Sequence, residues 1–244
     1  MMAALRSALF MAALALLTPP VTLLLLLCFW LPHHARLRLA QPWVRSVTWL
    51  IDHLLGIRCV VRGRENIPAG AAVVLVKHQS AWETIVLQTI FRDLIFVWKQ
   101  EIKWLPFFGW ALALTPMISI DRNAGRDALR QLKERGTERI RQGYSVAIFP
   151  EGTRMAPGQK GRYQAGGAFL AREAEAPVVP VALNSGESWG KNAFLKQPGT
   201  VTVSIGPAFD SRGLSTSEIN SRAEAWIEGE MRHISPHLYR HENP

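Results

Sequence analysis

The stretch Ala71-Ala72-Val73-Val74-Leu75-Val76-Lys77-His78-Gln79-Ser80 decides the fold, because a short apolar run stops abruptly at a cation and a histidine. A run of this length, rich in β-branched side chains, reads as a strand buried on both faces, as in parallel sheets. Working outward, the same event recurs. Residues 94–98 lead into Lys99, residues 117–120 into Asp121-Arg122, and residues 145–149 into Pro150-Glu151-Gly152-Thr153-Arg154. Further strand-like runs lie at 57–61, 178–183 and 201–205. Helical patterns fill the intervals at 81–91, 124–142, 166–174 and 215–233. The last opens with a capping box, Ser215 to Glu218, and then places Ile219, Ala223, Trp226, Ile227 and Met231 on one face. The alternation predicts an α/β domain with a mostly parallel central sheet covered by helices on both faces. Ligands of such sheets bind outside the carboxyl ends of the strands. Four strand ends that present a histidine, carboxylates and cations therefore mark one candidate site.

Upstream, residues 7–32 carry no charged side chain, which a soluble core helix does not need and a hydrocarbon environment does. The run ends in Cys28-Phe29-Trp30-Leu31-Pro32, unlike the small-residue cleavage site of a signal peptide. A hydrophobic, membrane-anchoring helical segment is expected over residues 1–35. Pro19 and Pro20 divide it, which leaves either a single kinked span or a short helical hairpin. The α/β domain is expected over 36–234 and a C-terminal tail over 235–244. Arg36, Arg38, Arg45, Arg58, Arg62 and Arg64 follow the anchor against Arg6 alone before it, so the domain is expected to face the cytoplasm. The net charge of +9 suits an anionic membrane surface. No zinc-finger spacing, aromatic RNA-binding strand or basic heptad accompanies it, so no nucleic-acid partner is expected. The two cysteines, Cys28 and Cys59, form no disulfide framework.

The motifs themselves resemble the glycerolipid acyltransferase family, which includes the 1-acyl-glycerol-3-phosphate acyltransferases. Its first block, a histidine and an acidic residue separated by four positions, corresponds to Lys77-His78-Gln79-Ser80-Ala81-Trp82-Glu83. Ile120-Asp121-Arg122 corresponds to the second block, and Phe149 through Arg154 reproduces the third without change. Val179-Pro180-Val181 is similar to the fourth, while Lys99 and Trp104-Leu105-Pro106-Phe107-Phe108-Gly109 match a further segment. Two positions depart from the pattern. Glu83 replaces the usual aspartate, and Lys77 stands where asparagine is commoner.

The resemblance implies transfer of a fatty acyl group from acyl-CoA or acyl-carrier protein to the free hydroxyl of 1-acyl-sn-glycerol-3-phosphate, giving phosphatidic acid. It implies membrane lipids as surroundings, the bacterial inner membrane as location and no cofactor. Glycerol-3-phosphate or a lyso-aminolipid is an alternative acceptor, and a non-catalytic membrane lipid-binding module is the alternative of another class. The residues suit the chemistry. A hydroxyl attacks a thioester only with help from a base, which a neutral His78 supplies; Glu83 would orient its ring and stabilise the imidazolium. Glu83 also fits a capping box with Ser80. The acceptor phosphate calls for cations, for which Lys99, Arg122 and Arg154 are the candidates. Glu151, Gly152 and Thr153 join them through the third block, although Glu151 also reads as a carboxylate that holds the loop. The aromatic residues Trp98, Trp104, Phe107, Phe108 and Trp110 suit either the core or a membrane-facing surface.

Overall fold

The structure, a computed structural model, describes residues 1–121 and 124–239. In chain order these form α1 (Met2–Leu27), α2 (His33–His53), β1 (Ile57–Arg62), β2 (Val73–Val76), α3 (Trp82–Ile90), β3 (Leu94–Lys99) and α4 (Phe108–Leu114). There follow β4 (Ile118–Ile120), α5 (Arg126–Arg141), β5 (Ser145–Ile148), α6 (Gly166–Ala174), β6 (Val178–Leu183), β7 (Gly199–Ile205) and α7 (Thr216–Ile234). One sheet collects the strands in the order β1-β7-β6-β2-β5-β3-β4. The five strands from β6 to β4 run parallel; β1 and β7 run parallel to each other and against β6. The sheet is thus mostly parallel, as the alternating pattern requires.

Period-two alternation within each strand builds two cores. On one face Val74 and Val76 of β2 pack with Val179 and Val181 of β6, Trp82 and Val86 of α3, and Val47 and Ile51 of α2. On the other, Val73 and Leu75 pack with Leu132 of α5, Leu170 of α6 and Ile219, Ala223 and Ile227 of α7. Gly167 lets α6 approach closely, since a Cβ there would meet Leu75 Cδ2 at 2.4 Å. Leu75 lies opposite both Ile148 and Pro180, so β2 and β5 end within one residue of each other, and β6 runs two residues further. Pro180 is tolerated inside this sheet because its neighbour on the far side, β7, has ended at Ile205; the Pro180 carbonyl accepts from Gly206 N (2.8 Å).

The proline pair does not divide the N-terminal segment. α1 runs through both prolines, turns at Cys28–Leu31, and α2 returns along it across the boundary expected at residue 35. α1 is long and apolar enough to cross a membrane, with only 17% of its most apolar window buried. Its 26 residues span about 39 Å, against a hydrocarbon thickness of about 30 Å. One side is docked on the domain. Phe10 is fully buried, edge-on to Trp189 at 5.4 Å, and Ser7 Oγ accepts from Lys196 N. Trp43 Nε1 donates to Thr18 Oγ1, and Thr22 Oγ1 donates to the Phe107 carbonyl.

The other side exposes Leu5, Leu9, Leu16, Leu23 and Leu27. The expected aromatic surface divides. Trp98 is core, whereas Trp104 (76% exposed), Phe107, Phe108 and Trp110 are at the surface beside α1. Both regions are apolar and exposed. Removal of residues 1–27 would strip Phe10 from the core, so the truncated protein is expected to aggregate rather than to become a soluble enzyme. A double substitution, Leu16→Lys with Trp104→Lys, leaves the core intact and should make membrane binding salt-sensitive. Sedimentation with vesicles in low and high salt checks this, and unchanged high-salt pelleting would place the membrane contact elsewhere.

Candidate active site

Because β6, β2 and β5 are adjacent and parallel, the segments that follow them meet. The segment after β2 carries Lys77, His78, Gln79 and Ser80; that after β5 carries Glu151 to Arg154; that after β6 carries Asn184 and Ser185. His78 Nδ1 lies 2.9 Å from Glu83 Oε1. An ionised carboxylate only accepts, so in the neutral imidazole Nδ1 carries the proton and Nε2 keeps its lone pair. The ring stacks on Phe149, with centroids 3.8 Å apart and planes 17° from parallel. Two contacts therefore fix the imidazole, and its side chain remains 14% exposed.

Glu83, in the first turn of α3, has no exposed side-chain surface. Its Oε1 also accepts from the backbone N–H of Gln79 (2.8 Å) and of Ser80 (2.7 Å), and its Oε2 accepts from Ser185 Oγ (2.7 Å). The bond from Ser80 N is half of the expected capping box, and the bond from His78 orients the imidazole. One oxygen serves both purposes. A buried carboxylate is costly unless its lone pairs are filled, and here four donors fill them.

Glu151 holds the histidine from behind. Its Oε2 accepts the His78 backbone N–H (2.8 Å), and Oε1 lies 2.7 Å from Lys77 Nζ, with neither side chain exposed. Burial pushes the Glu151 carboxyl above its ordinary range, and the charge and hydrogen bond of Lys77 oppose that push. Of the two readings of Glu151, the geometry supports the loop-holding one, because both oxygens are turned inward. Gly152 has φ +69°, a conformation that L side chains rarely adopt, and lets the chain turn there. Thr153 is exposed and its Oγ1 accepts from Lys191 Nζ (3.2 Å). Met155 N donates to the His78 carbonyl (2.8 Å), which brings Arg154 beside the histidine. Arg154 is half-buried, and no ion pair or side-chain hydrogen bond engages it among the described residues. Its guanidinium is available to a ligand.

The other candidates lie further out. Lys99 ends β3, two strands from β2, about 10 Å away, and its exposed ammonium pairs with Glu101 at 3.0 Å. Asp121 follows the edge strand β4, one strand further still. Arg122 lies outside the described residues. Sequence reasoning missed Ser185, although Asn184-Ser185 follows β6 just as the other polar clusters follow their strands. It also missed the partners of Lys77, which come from distant parts of the chain.

Comparison with known proteins bears on this geometry. Residues 58–184, which contain His78, Glu83 and the third block, match the family model described as Acyltransferase. The chain is 47% identical over 218 residues to a 1-acyl-sn-glycerol-3-phosphate acyltransferase of Pseudomonas aeruginosa, covering 88% of this chain and 85% of that protein. It is 29% identical over 192 residues to the mouse 1-acyl-sn-glycerol-3-phosphate acyltransferase alpha, covering 77% of this chain and 66% of the relative. The crystal structure of a 1-acyl-sn-glycerophosphate acyltransferase from Thermotoga maritima superposes with a TM-score of 0.80 over 95% of each chain; at 22% identity this likeness speaks for the fold. With a family match over more than half its length and a relative this similar over nearly all of it, the chain belongs to the acyltransferase family.

Proposed function

We propose that the protein transfers a fatty acyl group from acyl-CoA or acyl-carrier protein to the free hydroxyl of 1-acyl-sn-glycerol-3-phosphate, forming phosphatidic acid. The observation that carries the mechanism is the bond from His78 Nδ1 to buried Glu83, which leaves Nε2 as a base at the surface of the site. His78 Nε2 removes the hydroxyl proton as the oxygen attacks the thioester carbonyl carbon. The tetrahedral intermediate collapses with cleavage of the C–S bond, and the imidazolium returns its proton to the departing thiolate. Glu83 stabilises the imidazolium between these steps. Neither cysteine takes part: Cys59 lies in the edge strand β1, three strands from β2, and Cys28 lies beyond α1. The acceptor's name comes from the relatives, and the chemistry of the third block fits it. Arg154 presents an unengaged guanidinium beside the base, suited to bidentate contact with a phosphate. α1 and the apolar face around α4 hold the enzyme at the bacterial inner membrane through residues 1–35, with the catalytic domain facing the cytoplasm.

The test is an assay of the purified full-length protein against a panel of lyso-acceptors, with both thioester donors. Turnover is expected to be fastest with the phosphomonoester acceptor that already bears one acyl chain. Preference for glycerol-3-phosphate or a lyso-aminolipid would replace the acceptor and leave the chemistry. In the same assay Arg154→Ala should raise the acceptor KM by roughly 10–100-fold with little change in kcat, the loss of a charge-assisted contact present in ground and transition states alike. Arg154→Lys should recover part of it, since a point charge does not reproduce the planar fork. An unchanged KM in Arg154→Ala would move the phosphate site.

A further inference from the structure

Lys77, the residue before the base, is fully buried. Its Nζ lies 2.7 Å from Glu151 Oε1, 2.8 Å from Glu228 Oε1 and 3.0 Å from the Gln159 carbonyl. The ammonium donates to Glu228 and to the Gln159 carbonyl and forms a close ion pair with Glu151. Glu228 belongs to α7, beyond the stretch that matches the family, and its Oε1 also accepts from the hydroxyl of Tyr163 (2.9 Å). Burial pushes the Tyr163 hydroxyl strongly upward, so it remains a donor. The cluster is therefore one cation between two carboxylates, and one of those carboxylates receives the backbone N–H of His78.

We propose that Lys77 is a positioning residue for the reaction: its ammonium holds Glu151 against the His78 backbone, and Glu228 and Tyr163 hold that ammonium. The assignment rests on the reading of His78 as the base. It accounts for the departure of this chain at position 77. Where asparagine is commoner the chain has a lysine, and a carboxylate reaches in from the C-terminal helix to receive it. An uncharged residue at 77 would leave two buried carboxylates facing the same space with no cation between them. Glu151 would then turn away or take up a proton, and the segment carrying the base would lose its rear support.

The experiment compares Lys77→Met, which keeps the length of the side chain, with Lys77→Met/Glu228→Gln, which also removes the second carboxylate. Both are made with His78 intact and with His78→Ala, in the full-length detergent-purified enzyme. Lys77→Met should lower kcat by about 10-fold or more, since small displacements of a catalytic group are costly, while the acceptor KM changes by less than about 2-fold. Glu228→Gln in that background should restore kcat by about 3-fold or more, because the uncompensated charge is relieved. In the His78→Ala enzyme the residual rate should not respond to Lys77→Met. If Lys77→Met does not fold, Glu228→Ala decides, with a fall in kcat of about 3-fold expected at unchanged KM because Lys77 and Glu151 still balance. A variant whose thermal stability drops while kcat per folded molecule stays at the wild-type value would overturn the proposal. An equal loss with and without His78 would overturn it too. A fully active His78→Ala enzyme would instead sink the base assignment, which separates the two failures.

Discussion

His78→Ala should lower kcat by at least about 10², the lower end of what a positioned general base contributes. The substitution is well suited to isolating chemistry from folding. The side chain is not a core element, since it lies at a strand end and stays partly exposed. Its loss leaves Glu83 Oε1 with the N–H groups of Gln79 and Ser80, so the buried carboxylate is not orphaned. The backbone N–H at position 78 is still present to bond Glu151, and the Met155 N–H still reaches the carbonyl at 78. The aromatic partner set free is Phe149, whose ring also stacks on Phe96 at 5.9 Å. The acceptor KM is therefore expected to change by less than about 3-fold while kcat collapses, the signature of an interaction made in the transition state. Single-turnover measurement with either thioester distinguishes a chemical defect from slow product release. A variant that retains a tenth or more of the wild-type rate would end the general-base mechanism.

The parts of this architecture that were legible in the sequence are those written in local pattern. Val73-Val74-Leu75-Val76 buries every side chain, and a strand that does so must be central; the sheet order places it between β6 and β5. The polar residues that end β2 and β5 are the ones the structure brings together, because these strands are adjacent and parallel and end within one residue of each other. What was not legible depends on contacts between distant residues. α2 carries Arg36, Arg38 and Arg45 and an internal Pro42, which read locally as a basic juxtamembrane stretch. It becomes a helix because Val44, Val47 and Ile51 have a sheet and α1 to pack against. Pro19 and Pro20 read as a break, yet Thr18 and Thr22 bond back to Leu14 and Thr18 carbonyls and the helix continues. Lys77 and Glu228 lie 151 positions apart, and no periodicity links them. Ser185 sits between these cases. Its strand-end position was visible, but only the fold shows that its hydroxyl meets Glu83.

Glu83→Gln should lower kcat by about 10²–10⁴ and leave the fold intact, the size of effect known when the carboxylate of such a dyad becomes an amide. The argument turns on which bonds a glutamine retains. Its Oε1 still accepts from the N–H groups of Gln79 and Ser80, so the start of α3 keeps its support. Its NH₂ takes the place of Oε2 and donates to Ser185 Oγ, whose hydroxyl rotates to accept. A neutral amide in a fully buried position is also cheaper to desolvate than a carboxylate, so thermal stability should equal or exceed that of the wild type. What disappears is the negative charge 2.9 Å from Nδ1, and with it the stabilisation of the imidazolium as His78 takes the proton. Glu83→Asp separates charge from reach. It keeps the carboxylate and restores the residue usual in the family, but draws it back by about 1.5 Å, one methylene, from a set of four donors placed for glutamate. Partial activity, above Glu83→Gln and below the wild type, is the expected order. If Glu83→Gln folds and keeps kcat within about 3-fold of the wild type, the negative charge plays no part in catalysis, and a neutral oxygen at that place together with the stack on Phe149 is enough to hold the imidazole.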